Sequence, residues 1–172
     1  MPDGRVAGLY TGAVAGAPLT SVSEVQAEAG RGLVGDRYWA GSGTFWKPLA
    51  DREITLIETE ALEALAAKAG IKLEPCEARR NVATRGVRLN DLVARRFRVG
   101  DVLLLGIRLC EPCGHLERVT GLALRPHLAG SGGLRAAILS GGVIRVGDAI
   151  TAEGESAAYA AEEPEPAVQA AL

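Results

Sequence analysis

Two of the three cysteines and one of the two histidines fall within a single short run, Cys110-Glu111-Pro112-Cys113-Gly114-His115. An apolar stretch, Val102 to Leu109, delivers the chain to Cys110, and Pro112 and Gly114 force a turn before a helix-compatible segment. The residue types allow four chemistries. A structural zinc site would take both thiolates and His115, with Cys76 or His127 as fourth ligand. A redox pair would need the CxxC at a helix N-terminus in a βαβ setting, a pattern the sequence lacks. Two thiols buried as small apolar groups need no chemistry at all. The fourth is a single reactive or metal-ligating thiolate, its pKa lowered by Arg108, Arg118 or His115.

Other runs offer binding groups. Arg79-Arg80-Asn81 presents two guanidinium forks and an amide ahead of a strand, either an anion site or a solvated sheet edge. Gly35-Asp36-Arg37 is either a turn with a local ion pair or part of a binding loop. Gly132-Gly133-Leu134-Arg135 and Gly141-Gly142 are turn signals that also let backbone amides approach a ligand. No Walker loop, nucleophile elbow or HExxH helix is present.

Short strands between glycines must position these groups. Val6 to Tyr10, Ser21 to Ala27 and Glu53 to Ile57 fit strands. Residues 30–50 form a long glycine-rich loop, which Trp39, Phe45 and Trp46 predict to be packed. Leu62, Leu65, Ala66 and Ala69 recur at helical spacing between a Thr59 N-cap and Gly70, predicting a helix over 59–69. Val82 and Thr84 belong to a further strand, and Leu89 to Val93 to a short helical turn. Phe97 to Cys110 is the strongest β signal, interrupted at Gly100-Asp101 and Gly106. A broken helix is expected over Leu116 to Leu128, then strands at Leu134–Leu139 and Val143–Ile150. The fold class is mainly β (α+β), a closed or strongly bent antiparallel sheet with one clear helix and one or two short ones.

At 172 residues the chain holds one domain, expected over 1–152, and a tail over 153–172 rich in Ala, Glu and Pro and expected to be disordered. The total charge is −2. Setting aside the five glutamates beyond residue 152 leaves the body at +3, with all 16 arginines and the three lysines. That charge is too small to argue for nucleic acid. No apolar run reaches the roughly 18–20 residues of a membrane helix. Met1 to Arg5 does not open a secretory signal, and three cysteines are too few for a disulfide framework, so a reduced cytoplasmic protein is expected.

The ordered set of motifs resembles the MOSC domain, named after the C-terminal region of molybdenum-cofactor sulfurase. It comprises Gly32-Leu33-Val34-Gly35-Asp36-Arg37, Ile54-Thr55-Leu56-Ile57 with its helix, and Arg79-Arg80-Asn81-Val82 with Gly86. Phe97-x-Val99-Gly100, Cys110-x-Pro112-Cys113 with Leu116, and Gly141-Gly142-x-Ile144-x-Val146-Gly147-Asp148 complete it. The resemblance implies a β-barrel-like fold in which a cysteine thiolate ligates the metal of a molybdopterin cofactor while Arg and Asn side chains hold its phosphate and pterin. By position the ligating and catalytic thiol is Cys113, and Arg79 and Asn81 are the holding residues. Arg37 and Arg80 join them as cofactor-binding candidates, and Cys110 and His115 stand behind the metal position. The implied activity is reduction of N-hydroxylated small molecules with electrons from a partner protein. The alternatives are a sulfur carrier holding a Cys113 persulfide from a sulfur-donor protein, and a non-catalytic cofactor-binding domain. The chain departs from many small MOSC proteins, which carry His-Gly-Gly soon after Gly-Asp-Arg where this one reads Tyr38-Trp39-Ala40-Gly41-Ser42-Gly43-Thr44-Phe45. Pyridoxal phosphate, used by the larger sulfurases, is not expected, because Lys47, Lys68 and Lys72 offer no evident Schiff-base site.

Overall fold

The structure is a computed structural model that describes residues 4–154. Apart from Glu153 and Gly154, the expected tail lies outside the described residues. Eleven strands and three α-helices are present among them: β1 Gly4–Thr11, β2 Thr20–Val22, β3 Glu24–Glu28, β4 Gly32–Leu33, β5 Ile54–Glu58, α1 Thr59–Ala69, β6 Val82–Arg85, β7 Arg96–Val99, β8 Val102–Leu109, α2 Gly114–Thr120, α3 Arg125–Leu128, β9 Leu134–Ser140, β10 Gly142–Arg145 and β11 Ala149–Ala152. Seven of the strands close into a barrel in the order β11-β7-β8-β9-β5-β6-β1, and β1 pairs back to β11 through Gly4–Ile150 and Arg5–Ala149. Closure removes the free edges that a sheet of short strands would otherwise expose. β2 extends β1 outside the barrel, and β10-β3-β4 form a small second sheet.

Side-chain alternation fills the barrel. In β7, and in β1 from Gly4 to Gly8, every second residue is buried, and Val6, Leu9, Ile54, Leu56, Val82, Phe97, Leu104 and Leu134 meet in one cluster. β8 is shared between β7 and β9, and its register shifts near Leu104 and Gly106 bend the sheet. Gly106 permits a close approach. A Cβ there would overlap the Leu92 carbonyl, and the Gly106 backbone itself bonds to Ala94 and Arg95. A second cluster outside the barrel packs Leu62 and Leu65 of α1 against Leu116, Leu124 and Leu128 of the 110–130 segment. No helix among the described residues is long and apolar enough to cross a membrane.

Helix α1 covers 59–69, ending at Gly70 with φ 66°. Thr59 is not its N-cap. Glu58 occupies that position and the Thr59 hydroxyl donates 2.9 Å to the Thr84 carbonyl, tying helix to barrel. Three other expectations are corrected. Ser21–Ala27 is two strands, since β2 pairs with β1 while β3 leaves for the other sheet. Val143–Ile150 also divides, because Gly147 at φ 93° turns the chain from β10 into β11. Finally, the barrel is not wholly antiparallel. β5 and β6 run parallel, joined through α1, a crossover that strand periodicity does not reveal.

Replacing Gly106 by Ala forces a backbone contact to open and should cost about 2 kcal/mol or more. Thermal unfolding should show a midpoint about 4–8 °C lower. Gly154→Ala, with open space around the position, should leave it unchanged.

Candidate functional site

Three loops meet at one end of the barrel: 34–53 after β4, 76–81 before β6, and 110–116 after β8. One side chain locks two of them together. Arg80 is buried, and its guanidinium donates to three carbonyls: Gly132 through Nε at 2.9 Å, Ala78 through Nη1 at 3.0 Å and Cys110 through Nη2 at 3.1 Å. Cys110 N in turn donates 2.7 Å to Gly133 O. Glycine at 132 and 133 is required, since a Cβ at either would strike the Cys110 or Leu56 carbonyl. Both carboxylate oxygens of Glu111 accept from Gly130 N, at 3.2 and 2.9 Å, closing the far side of the same loop.

Asn81 knits three strands. Its Oδ1 accepts from Thr55 N and Oγ1, both at 3.1 Å, and its Nδ2 donates 3.2 Å to Tyr10 O. One Nδ2–H remains for a ligand. Arg79 stands in the left-handed region at φ 58°. Its Nη1 donates 2.7 Å to Ala17 O. Burial pushes the Arg79 pKa down, and the Arg37 and Arg80 charges push it further. Arg37 is anchored by Asp36, 3.2 Å away, so the Gly-Asp-Arg run is both a local ion pair and part of the binding loop. Asp36 also accepts from Gly12 N and Tyr38 N at 3.0 and 3.1 Å.

The two thiols differ. Cys110 is 1% exposed, whereas Cys113 is exposed at the N-cap of α2, past the strand end rather than on it. His115 meets Phe45 edge-on, with ring centroids 5.2 Å apart. Burial lowers the His115 pKa, and Arg118, Arg79 and Arg37 lower it further, so its surroundings favour the neutral imidazole. The loop aromatics are less packed than expected. Trp39 bonds Glu28 through Nε1 at 2.7 Å and carries the Arg31 guanidinium on its face, but Phe45 and Trp46 are 43% and 42% exposed.

One cleft is lined by all seven residues singled out in the sequence: Arg37, Arg79, Arg80, Asn81, Cys110, Cys113 and His115. Arg52 and Arg135 line it too and were not singled out as site residues. Arg135 had a signal, a lone charge in the otherwise apolar run Leu134–Leu139; Arg52 had none. Five arginines thus surround one exposed thiol. Among the described residues no three His, Cys, Asp or Glu side chains are placed to hold a metal together, so Cys110, Cys113 and His115 do not form a zinc cluster. A metal here would have one thiolate from the protein and the rest from a carrier. The donor set fits such a carrier if it is anionic.

Iodoacetamide should label Cys113 well before Cys110, as read by mass spectrometry of the folded protein. The His115 titration midpoint, followed by NMR, should lie below the ordinary value of about 6.5. Arg118→Gln should raise it, because a neighbouring cation that disfavours the imidazolium is removed.

The MOSC domain family matches residues 11–151 of the chain. Solved structures share the fold. YuaD from Bacillus subtilis superposes with a TM-score of 0.72 at 19% identity, over 90% of this chain and 97% of that one. YiiM from Geobacillus stearothermophilus gives 0.67 at 15% identity, over 88% and 75%. YiiM from Escherichia coli gives 0.66 at 18% identity, over 90% and 71%. No curated protein matches the chain. The matched span includes the arginine-lined cleft and its thiol, and the chain belongs to the MOSC domain family.

Proposed function

We propose that the cleft binds a molybdopterin-type molybdenum cofactor and that the protein reduces N-hydroxylated small molecules. The observation that carries this reading is a single exposed thiol, Cys113, facing a cleft walled by five arginines. A soft thiolate suits molybdenum, and arginine forks suit a phosphate tail. Cys113 would ligate the metal. Arg79 and Arg37 would hold the phosphate, Asn81 would offer its free Nδ2–H to the pterin, and Arg80 would hold the walls in place. When bound, the cofactor supplies oxygen-atom removal from the substrate nitrogen.

The chain's own residues handle protons and water. Reduction of an N-hydroxyl group to the amine and water consumes an electron pair and protons. His115, whose surroundings favour the neutral imidazole, can take a proton from solvent at a ring nitrogen and pass it toward the cleft. Phe45 packs against that imidazole with its ring nearly perpendicular to it. The electrons would come from a partner protein, because three cysteines are too few for an iron–sulfur cluster. Free thiols of this kind persist in a reducing cytoplasm.

Protein purified from a molybdopterin-competent host should contain near-stoichiometric molybdenum, and Cys113→Ala should abolish it. Arg79→Gln should weaken retention roughly ten- to a hundredfold, the loss of one charge-assisted bond worth about 1.5–3 kcal/mol. Wild-type protein without molybdenum above the Cys113→Ala control would end this reading. A cyanolysable sulfur on Cys113 in its place would mark a sulfur carrier.

A further inference from the structure

Arg52 and Arg135 have no part in the arrangement above. Arg52 ends the 3-10 turn Ala50–Arg52, Arg135 is the second residue of β9, and both line the cleft. They converge on Asp51. Arg52 Nε lies 3.4 Å from Asp51 Oδ1, and Arg135 Nη1 donates to the Asp51 carbonyl at 3.4 Å. The other carboxylate oxygen is already taken, since Arg108 grips Oδ2 through Nε at 2.8 Å and Nη2 at 2.7 Å. The Asp51 carboxylate therefore serves two guanidiniums, and its backbone carbonyl a third.

The hydrogen bonding is also incomplete. The Nε atoms of Arg52 and Arg135 are both buried, and among the described residues neither has an aligned acceptor; Asp51 Oδ1 likewise has no aligned donor there. Closing the contact between Arg52 and Oδ1 satisfies that pair and still leaves the Arg135 donor open. Buried donors are rarely left without acceptors unless a ligand or water supplies them. Two guanidiniums with surplus charge and an open donor, on the part of the cleft wall formed by the Ala50–Arg52 turn and β9, are suited to an oxyanion.

We infer that Arg52 and Arg135 seat an anionic group of the substrate, a carboxylate or a phosphate, while Arg37 and Arg79 hold the cofactor in the same cleft. This deepens the proposed reductase reading and rests on it. The substrate class is then an N-hydroxylated compound that carries a negative charge away from the reacting nitrogen.

The probes are 4-carboxybenzamidoxime and its neutral 4-carboxamide analogue. Their binding to the full chain, purified with its molybdenum content measured, is followed by calorimetry at low salt. Wild type should bind the carboxylate at least tenfold tighter than the carboxamide. That ratio should fall to within about twofold in Arg52→Gln/Arg135→Gln, remain largely intact in Arg135→Lys, and remain unchanged in the surface control Arg145→Gln. Circular dichroism checks that each variant is folded. Equal binding of the two probes by wild type would overturn the inference. So would a ratio unchanged in the double variant, whether or not molybdenum is lost from it, since loss would assign the pair to the cofactor. A preserved charge preference without turnover of either probe would support the seat and count against the reductase reading alone.

Discussion

The Arg80 guanidinium is the constraint on which the site depends. Its bonds reach the carbonyls of residues 78, 110 and 132, which belong to the segments before β6, after β8 and before β9. Among the described residues no carboxylate pairs with it. A buried arginine is tolerated there because its donors meet fixed carbonyl dipoles, and hydrogen bonds to a charged group contribute more than neutral ones. The clamp also explains the glycine pair at 132–133, since only a chain without Cβ atoms can lie that close to Cys110, Leu56 and the Arg80 side chain. The barrel supplies stiffness, and Arg80 passes it to the loops.

The electrostatics follow from this frame. Arg79 lies close to Arg80 on the same segment, and its pKa is lowered first by burial and then by the Arg37 and Arg80 charges; burial, Arg118, Arg79 and Arg37 lower that of His115. Such a concentration of like charge is costly. An anion bound as proposed would relieve that repulsion, and part of its binding free energy would come from this relief.

Much of this was legible in the sequence. Helix α1 and strands β1, β5 and β8 follow from periodicity and glycine punctuation, and all seven chosen site residues share one cleft. What was not legible depends on long-range pairing. Nothing local to Ser23 or Gly147 says that the chain passes from one sheet to another there, and nothing in β5 or β6 says that they run parallel. Arg52 escaped for a related reason. Its importance comes from Arg135, β9 and Asp51 meeting across the barrel end, and a single arginine before a strand carries no trace of partners more than 80 residues away.

The two cysteines show how the clamp sorts similar residues into different roles. Cys110 has both its N–H and its C=O engaged, with Gly133 and Arg80, so its backbone is fixed and its thiol is packed inward at 1% exposure. Three residues later the chain has passed Pro112 and left those bonds behind. Cys113 caps a short helix in an extended conformation and remains open to the cleft. The CxxC spacing is thus not a pair acting together. It is the length of chain needed to go from a residue that anchors the loop to one that the loop presents.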